Sequence, residues 1–336
     1  MVTFSLSEEL DKFRGAENED DFVRALSLIS VLLLSSRDRR DFSTRDGATT
    51  IGDHLVRLCL EQSTVVDKWS ISRAFGFSLS KGAIDEVVRY LIISITHAAL
   101  DINMAQQLCS MNLAQVMFDE FIESQPQQDN DVAKQPARME GCSLRVIALE
   151  ALRNLMYHER EQPQLSNEAL DSLWQILLGP HADEGEIEKQ LSCDILTNLA
   201  FHNPRASHAT KERLSLLLSI LLHEDAHGNP LSSAQPTELL QAALVDLACN
   251  LSRDTEYSIL FICALEEHKP RSRLSTSSIA FLTLWAKSTT DYGLRASLEA
   301  WTRNLAWSDV STKVCVQKLS ASSFVERFIF HDDQTL

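Results

Sequence analysis

Four seven-residue segments of this chain align without a gap: Ala151-Leu-Arg-Asn-Leu-Met-Tyr157, Ile195-Leu-Thr-Asn-Leu-Ala-Phe201, Leu247-Ala-Cys-Asn-Leu-Ser-Arg253 and Trp301-Thr-Arg-Asn-Leu-Ala-Trp307. Their asparagines, Asn154, Asn198, Asn250 and Asn304, stand 44, 52 and 54 residues apart. Self-similarity at such a period constrains the fold more than any other feature. A unit of that size cannot bury its apolar face alone and must stack on its copies. Upstream, Leu28-Ile-Ser-Val31 and Ile92-Ile-Ser-Ile95 echo the segment, with Ser30 and Ser94 in place of the asparagine.

Around these segments apolar residues recur at i, i+3, i+4 and i+7, and no run alternates with a period of two. Leu144, Ala148, Ala151, Leu152 and Leu155 make one such helical stripe. Only 10 glycines and 8 prolines occur in 336 residues, too few to punctuate many short strands. The pattern predicts an all-α chain of roughly fourteen helices in successive hairpins. The Gln-, Pro- and Asp-rich stretch 124–136 reads as a flexible loop. It divides degenerate helical repeats or a cap at 1–123 from clearer repeats at 137–336. Further loops are expected at 179–186 and 223–237.

The Ala-Leu-x-Asn-Leu-x-aromatic ending, clearest at Leu196-Thr-Asn-Leu-Ala-Phe-His-Asn203, resembles the third helix of armadillo repeats. The likeness runs from Glu140 to Trp307 and fades before that. It implies a right-handed α-solenoid of degenerate armadillo/HEAT-like repeats, whose third helices line a concave groove that grips a partner helix or extended peptide. More distantly, the block is similar to the C-terminal region of the rotatin family of centriolar armadillo-like proteins. That implies a scaffold or adaptor in a centriolar or cytoskeletal assembly. Other armadillo-like proteins are exchange factors, so a regulator of a GTPase or chaperone client is the second expectation. Importin-type grooves carry tryptophan four residues before the asparagine; this chain has Glu150, Asp194, Asp246 and Ala300 there. Three acids in that place weigh against a nuclear-import receptor.

On a helical wheel with each asparagine at zero, the next leucine lies at about +100°, and the residues two and three before it at about +160° and +60°. In the first three units these positions form an apolar arc; Thr302 interrupts it in the fourth. The residue before the asparagine and the one three after it point away from that arc, at about −100° and −60°. They are Arg153 with Tyr157, Thr197 with Phe201, Cys249 with Arg253, and Arg303 with Trp307. Aromatics and arginines are the residue types that make binding hot spots. The expected partner site therefore has Tyr157, Phe201 and Trp307 as apolar anchors and Arg153, Arg253 and Arg303 as carboxylate contacts. Asn154, Asn198, Asn250 and Asn304 supply its backbone hydrogen bonds. The competing expectation buries Phe201 and Trp307 between units and spends the asparagines on carbonyls of the adjacent repeat. Trp69, Trp174 and Trp285 lie within apolar helical segments and are expected in the core.

Other classes find little support. Lys plus Arg is 31 against 47 for Asp plus Glu, a net charge of −16 that disfavours nucleic acid and anionic membrane as partners. The longest apolar stretches run about nine residues where a membrane span needs about 20. No secretory signal is apparent at 1–10, and the seven scattered cysteines form no C-x-x-C pair, so an intracellular, cytoplasmic chain with reduced core thiols is expected. His223-Glu-Asp-Ala-His227 fits a zinc-hydrolase motif, but Gly228-Asn-Pro230 ends the helix the motif needs. No nucleotide or nucleophile-elbow motif occurs, so no cofactor, metal or enzymatic activity is expected. The cluster Arg37–Arg45, interleaved with Asp38 and Asp41, reads as a solvated loop, and 269–275 as a weak phosphoacceptor segment at Ser275.

Overall fold

A computed structural model describes residues 5–64, 77, 79–123, 143–158, 165–179, 185–223, 235–267 and 278–319. These residues hold fifteen α-helices, one π-helical and one 3-10 turn, and among them no strand. The expected loop at 124–136, residues 224–234, Trp69 and Ser275 lie outside them. The chain divides into two units, Met1–Leu177 with Ile187–Asn198, and Leu178–Glu186 with Leu199–Leu336.

The first unit contains α1 (Leu6–Arg14), α2 (Glu19–Leu32), α3 (Ser36–Thr44), α4 (Gly47–Thr64), α5 (Lys81–Ala98), α6 (Ile102–Ser110) and α7 (Leu113–Met117). After a π turn at Phe118–Glu123 come α8 (Leu144–Met156), α9 (Asn167–Leu178) and most of α10 (Glu186–His202). Short polar side chains start these helices. Asn18 accepts from the Asp21 amide at 2.9 Å, Asp101 from Asn103 and Met104 at 3.0 and 3.2 Å, and Ser143 from Val146 at 3.3 Å. Each cap stabilises its helix by about 1 kcal/mol.

Such caps account for one correction. Residues 36–44 form a helix rather than a loop, because Ser35 caps it and Phe42 is buried beneath it. Turns at Asp46, Asn112, His208 and His223 take φ of 54°, 55°, 53° and 55°, so polar residues supply the left-handed conformation in a glycine-poor chain. At Gly47 glycine is required sterically: a Cβ there would lie 2.6 Å from the Phe42 ring.

Helix α5 packs against α2 on one side and α8 on the other. Beside them Phe13 stacks on Phe22 at 4.6 Å, and the His54 ring lies 4.8 Å from Phe13. His54 Nδ1 faces the Thr50 carbonyl at 2.6 Å, so it carries the proton and donates. Burial among these rings is the main cause holding the imidazole pKa below its ordinary 6.5.

The second unit contains α11 (Lys211–Leu222), α12 (Glu238–Leu251), α13 (Thr255–Glu267), α14 (Ser278–Ser288) and α15 (Tyr292–Leu319). Helices α12, α13 and α14 all pack on α15. Their shared core contains Trp301, fully buried with its ring edge-on to Phe261 at 5.4 Å. Trp174 is buried as expected, whereas Trp285 is only half-buried. Among the described cysteines, Cys59 and Cys193 are core residues, but Cys263 is exposed on α13. Among the described residues no helix is long and apolar enough to cross a membrane.

Candidate partner-binding face

The apolar arc of the repeated helix is buried as the wheel requires. Ala151, Leu152 and Leu155 in α8 have no exposed surface, and neither do Leu247, Ala248 and Leu251 in α12. In α15 Trp301 and Leu305 are buried, with Thr302 half-buried between them.

On the flank of the arc, the asparagines bridge one repeated helix to the next. In the first unit Asn154 Nδ2 donates to the Thr96 carbonyl at 3.0 Å, and Asn198 Nδ2 to the Arg153 carbonyl at 3.1 Å. In the second, Asn304 Nδ2 donates to the Cys249 carbonyl at 2.9 Å. Each acceptor whose own repeat contains an asparagine lies one residue before it. By that register Thr96 marks His97, not Ser94, as the asparagine equivalent in α5. His97 indeed makes the next rung, its Nδ1 reaching the Ser30 carbonyl at 2.7 Å. The equivalent in α2 is then Val31, not Ser30. Ser94 is fully buried instead, and its hydroxyl has no partner among the described residues. The expected serine register is thus shifted by three residues in one echo and one in the other, because the bridge and not the residue type defines the repeat.

This engagement changes the part the asparagines can play. Asn154 is 9% exposed, donates to Thr96 and accepts from Arg153, so it has little left for a partner. Asn198 and Asn304 are half-buried with a donor hydrogen already committed. Asn250 is half-buried and, among the described residues, makes no side-chain hydrogen bond.

Three residues beyond each rung the side chains face outward. Tyr157 is 69% exposed in the first unit; Phe201 and Trp307 are 47% and 77% exposed in the second. The corrected register adds two residues that the sequence reading missed, Leu34 and Leu100, both exposed just past the ends of α2 and α5. The first unit therefore presents Leu34, Leu100 and Tyr157 at equivalent places on three packed helices. Their signal in the sequence was an apolar residue at a helix exit, invisible until the rung was located. His158 and His202 sit edge-on to the neighbouring Tyr157 and Phe201 rings, at 5.6 and 5.1 Å. His158 also bonds the Ala99 carbonyl at 2.8 Å, which tethers the end of α8.

The three arginines differ. Arg153 lies 3.4 Å from Glu150 and 3.9 Å from Asp194, two of the acids that occupy the expected tryptophan position. Arg253 Nη1 donates to the Phe201 carbonyl at 2.5 Å, and its guanidinium carbon lies 5.0 Å from the Phe201 ring centre. Arg303 is exposed on α15, one helical turn before Trp307. Among the described residues neither Arg253 nor Arg303 has a carboxylate at ion-pair distance. Both act electrostatically on Cys249, whose thiol pKa burial nonetheless pushes up to about 11. The Asp254 and Glu256 carboxylates are taken by Arg205, at 3.0 and 3.3 Å.

His223 caps the end of α11 in a left-handed conformation, off the helix a zinc motif requires; Glu224 to His227 lie outside the described residues. Among the described residues no three His, Cys, Asp or Glu side chains gather as metal ligands.

No protein-family model and no curated protein matches the chain. Among solved structures, it is similar to the crystal structure of an engineered protein of the Northeast Structural Genomics Consortium, with a TM-score of 0.55 and 11% identity. That match covers 90% of this chain and 97% of the other. A second engineered protein from the same consortium covers 96% of each chain at 12% identity, with a TM-score of 0.29. The first likeness is one of fold alone.

Proposed function

We propose that this protein is a non-enzymatic scaffold or adaptor, an armadillo-like α-solenoid that holds a partner protein at the outward residues of its repeated helices. The observation that carries the reading is the recurrent exposure of large apolar side chains three residues past each rung. Leu34, Leu100 and Tyr157 do so in the first unit, and Phe201 and Trp307 in the second. Single exposed apolar residues are ordinary. Repetition at one structural position is not, and it supplies the spaced anchors that a docked segment needs.

The commitment of the asparagine amides favours a helix as that segment. An extended peptide relies on its host for main-chain hydrogen bonds, whereas a helix satisfies its own. With one donor hydrogen each of Asn154, Asn198 and Asn304 already on a carbonyl of this chain, an apolar helix face against the exposed anchors is the better match.

The test is affinity purification from cells, using wild type and Tyr157→Ala/Phe201→Ala/Trp307→Ala as baits. Circular dichroism checks that the variant is folded. The reading expects at least one prominent partner to vanish from the folded variant. An unchanged partner set would remove these residues from the interface.

A further inference from the structure

The second unit's face carries charge as well as aromatic surface. The chain as a whole has a net charge of −16, and four of its described arginines are held by carboxylates, Arg45 by Asp11 among them. Arg153 has Glu150 and Asp194, Arg145 has Glu188, and Arg205 has Asp254 and Glu256. Arg253 and Arg303 have no carboxylate at ion-pair distance among the described residues. Both are exposed, both lie near Cys249 on the α12–α15 seam, and each adjoins an exposed aromatic. Arg253 is fixed over Phe201 by its bond to the Phe201 carbonyl, so its guanidinium is pre-organised rather than free to wander. Arg303 and Trp307 are four residues apart on one helix and so lie on the same side of it.

No nearby carboxylate pairs directly with either guanidinium among the described residues. Asp246 accepts a hydrogen bond from Ser297, and Glu299, one turn before Arg303, is not at ion-pair distance from it. A protein that leaves two guanidinium groups unpaired beside two aromatic side chains, amid an excess of 47 acids over 31 bases, has a face complementary to acidic and apolar groups together. Guanidinium forks match carboxylates in geometry as well as charge.

We infer that the second unit's face selects a partner helix carrying Asp or Glu beside its apolar anchor, with Arg253 and Arg303 receiving the carboxylates and Phe201 and Trp307 the anchor. This rests on the helix-docking reading above. Both contacts are partly exposed, so each contributes modestly, about fivefold or less in affinity. Their effect is on which helix is chosen more than on how tightly it is held.

The experiment is selection of a phage-displayed library of helical peptides, randomised on one face, against the immobilised full chain. Parallel selections use Arg253→Glu/Arg303→Glu, the milder Arg303→Gln, and Phe201→Ala/Trp307→Ala, each checked for helicity by circular dichroism. Wild type is expected to enrich Asp or Glu together with Leu, Phe or Trp one turn away. The charge-reversed chain should enrich Lys or Arg at the same position, and Arg303→Gln should lose part of the acidic bias. Binders without acidic enrichment, or acidic enrichment unchanged by charge reversal, would overturn the inference while leaving the docking reading intact, provided the binders still need Phe201 and Trp307. Binders indifferent to both aromatics, or no binders at all, would overturn both.

Discussion

The same short motif does different work in the two units. In the first, the arginine before the asparagine, Arg153, is held between Glu150 and Asp194, and rungs run without a break through His97, Asn154 and Asn198. In the second, Arg253 and Arg303 have no carboxylate, and Asn250 makes no rung among the described residues. The difference teaches that recurrence of a motif guarantees the buried arc but not the fate of the polar residues around it. Where acids reach it, as Glu150 and Asp194 reach Arg153, an arginine is held as structure. Without an acid in reach, the arginine stays at the surface as a potential contact.

Several substitutions would break or sharpen this comparison. The largest effect is expected from Trp301→Ala, which empties a fully buried site against Phe261 and should cost about 3–5 kcal/mol in denaturant unfolding. Trp307→Ala, six positions along the same helix, should stay within about 0.5 kcal/mol of wild type, as exposed substitutions do. Equal losses at both would place Trp307 in the core and remove it from the face.

Next, Asn154→Ala leaves the buried Thr96 carbonyl without its donor and should cost about 1–3 kcal/mol. Asn250→Ala breaks no such bond and should cost less than about 0.5 kcal/mol. Parity between the two would show that the rungs contribute nothing to stability.

A finer contrast comes from pH. Because the folded His54 pKa lies below 6.5, the unfolded chain takes up a proton that the folded first unit resists. The stability His54 contributes is full above pH 6.5 and is lost as pH falls from there through the folded value. Melting followed from pH 7.5 to 5 should therefore show a decline that His54→Leu flattens. A variant with the same decline as wild type would assign the acid sensitivity to other groups.

Much of this was legible in the sequence. The helical period, the scarcity of glycine and the repeated Ala-Leu-x-Asn-Leu pattern led directly to all-α structure and to the buried arc, since those follow from local geometry. The wheel pointed Tyr157, Phe201 and Trp307 away from the arc but left open the burial of Phe201 and Trp307 against a neighbouring repeat, which their exposure rules out. What escaped were pairings between residues far apart in the chain. The His97 bridge to Ser30 spans two helices and replaces asparagine with imidazole, so no residue-type search could align it. Leu34 and Leu100 were hidden by the same shift. Arg153 was grouped with Arg253 and Arg303 because a sequence shows that acids are present but not which guanidinium they reach. The helix at 36–44 was masked by its charge, although Ser35 and Asp38 already spelled a capped start.

The central claim is that, at each rung, the bridging asparagine or histidine holds the chain together while the residue three places on meets the partner. Its most direct test puts Asn154→Ala and Phe201→Ala/Trp307→Ala through the same two assays, urea unfolding and partner capture. A stability loss of about 1–3 kcal/mol with capture retained is expected for the first, and near wild-type stability with capture lost for the second. The reverse pattern, a stable asparagine variant that loses its partner beside an aromatic variant that unfolds early and keeps it, would contradict the account.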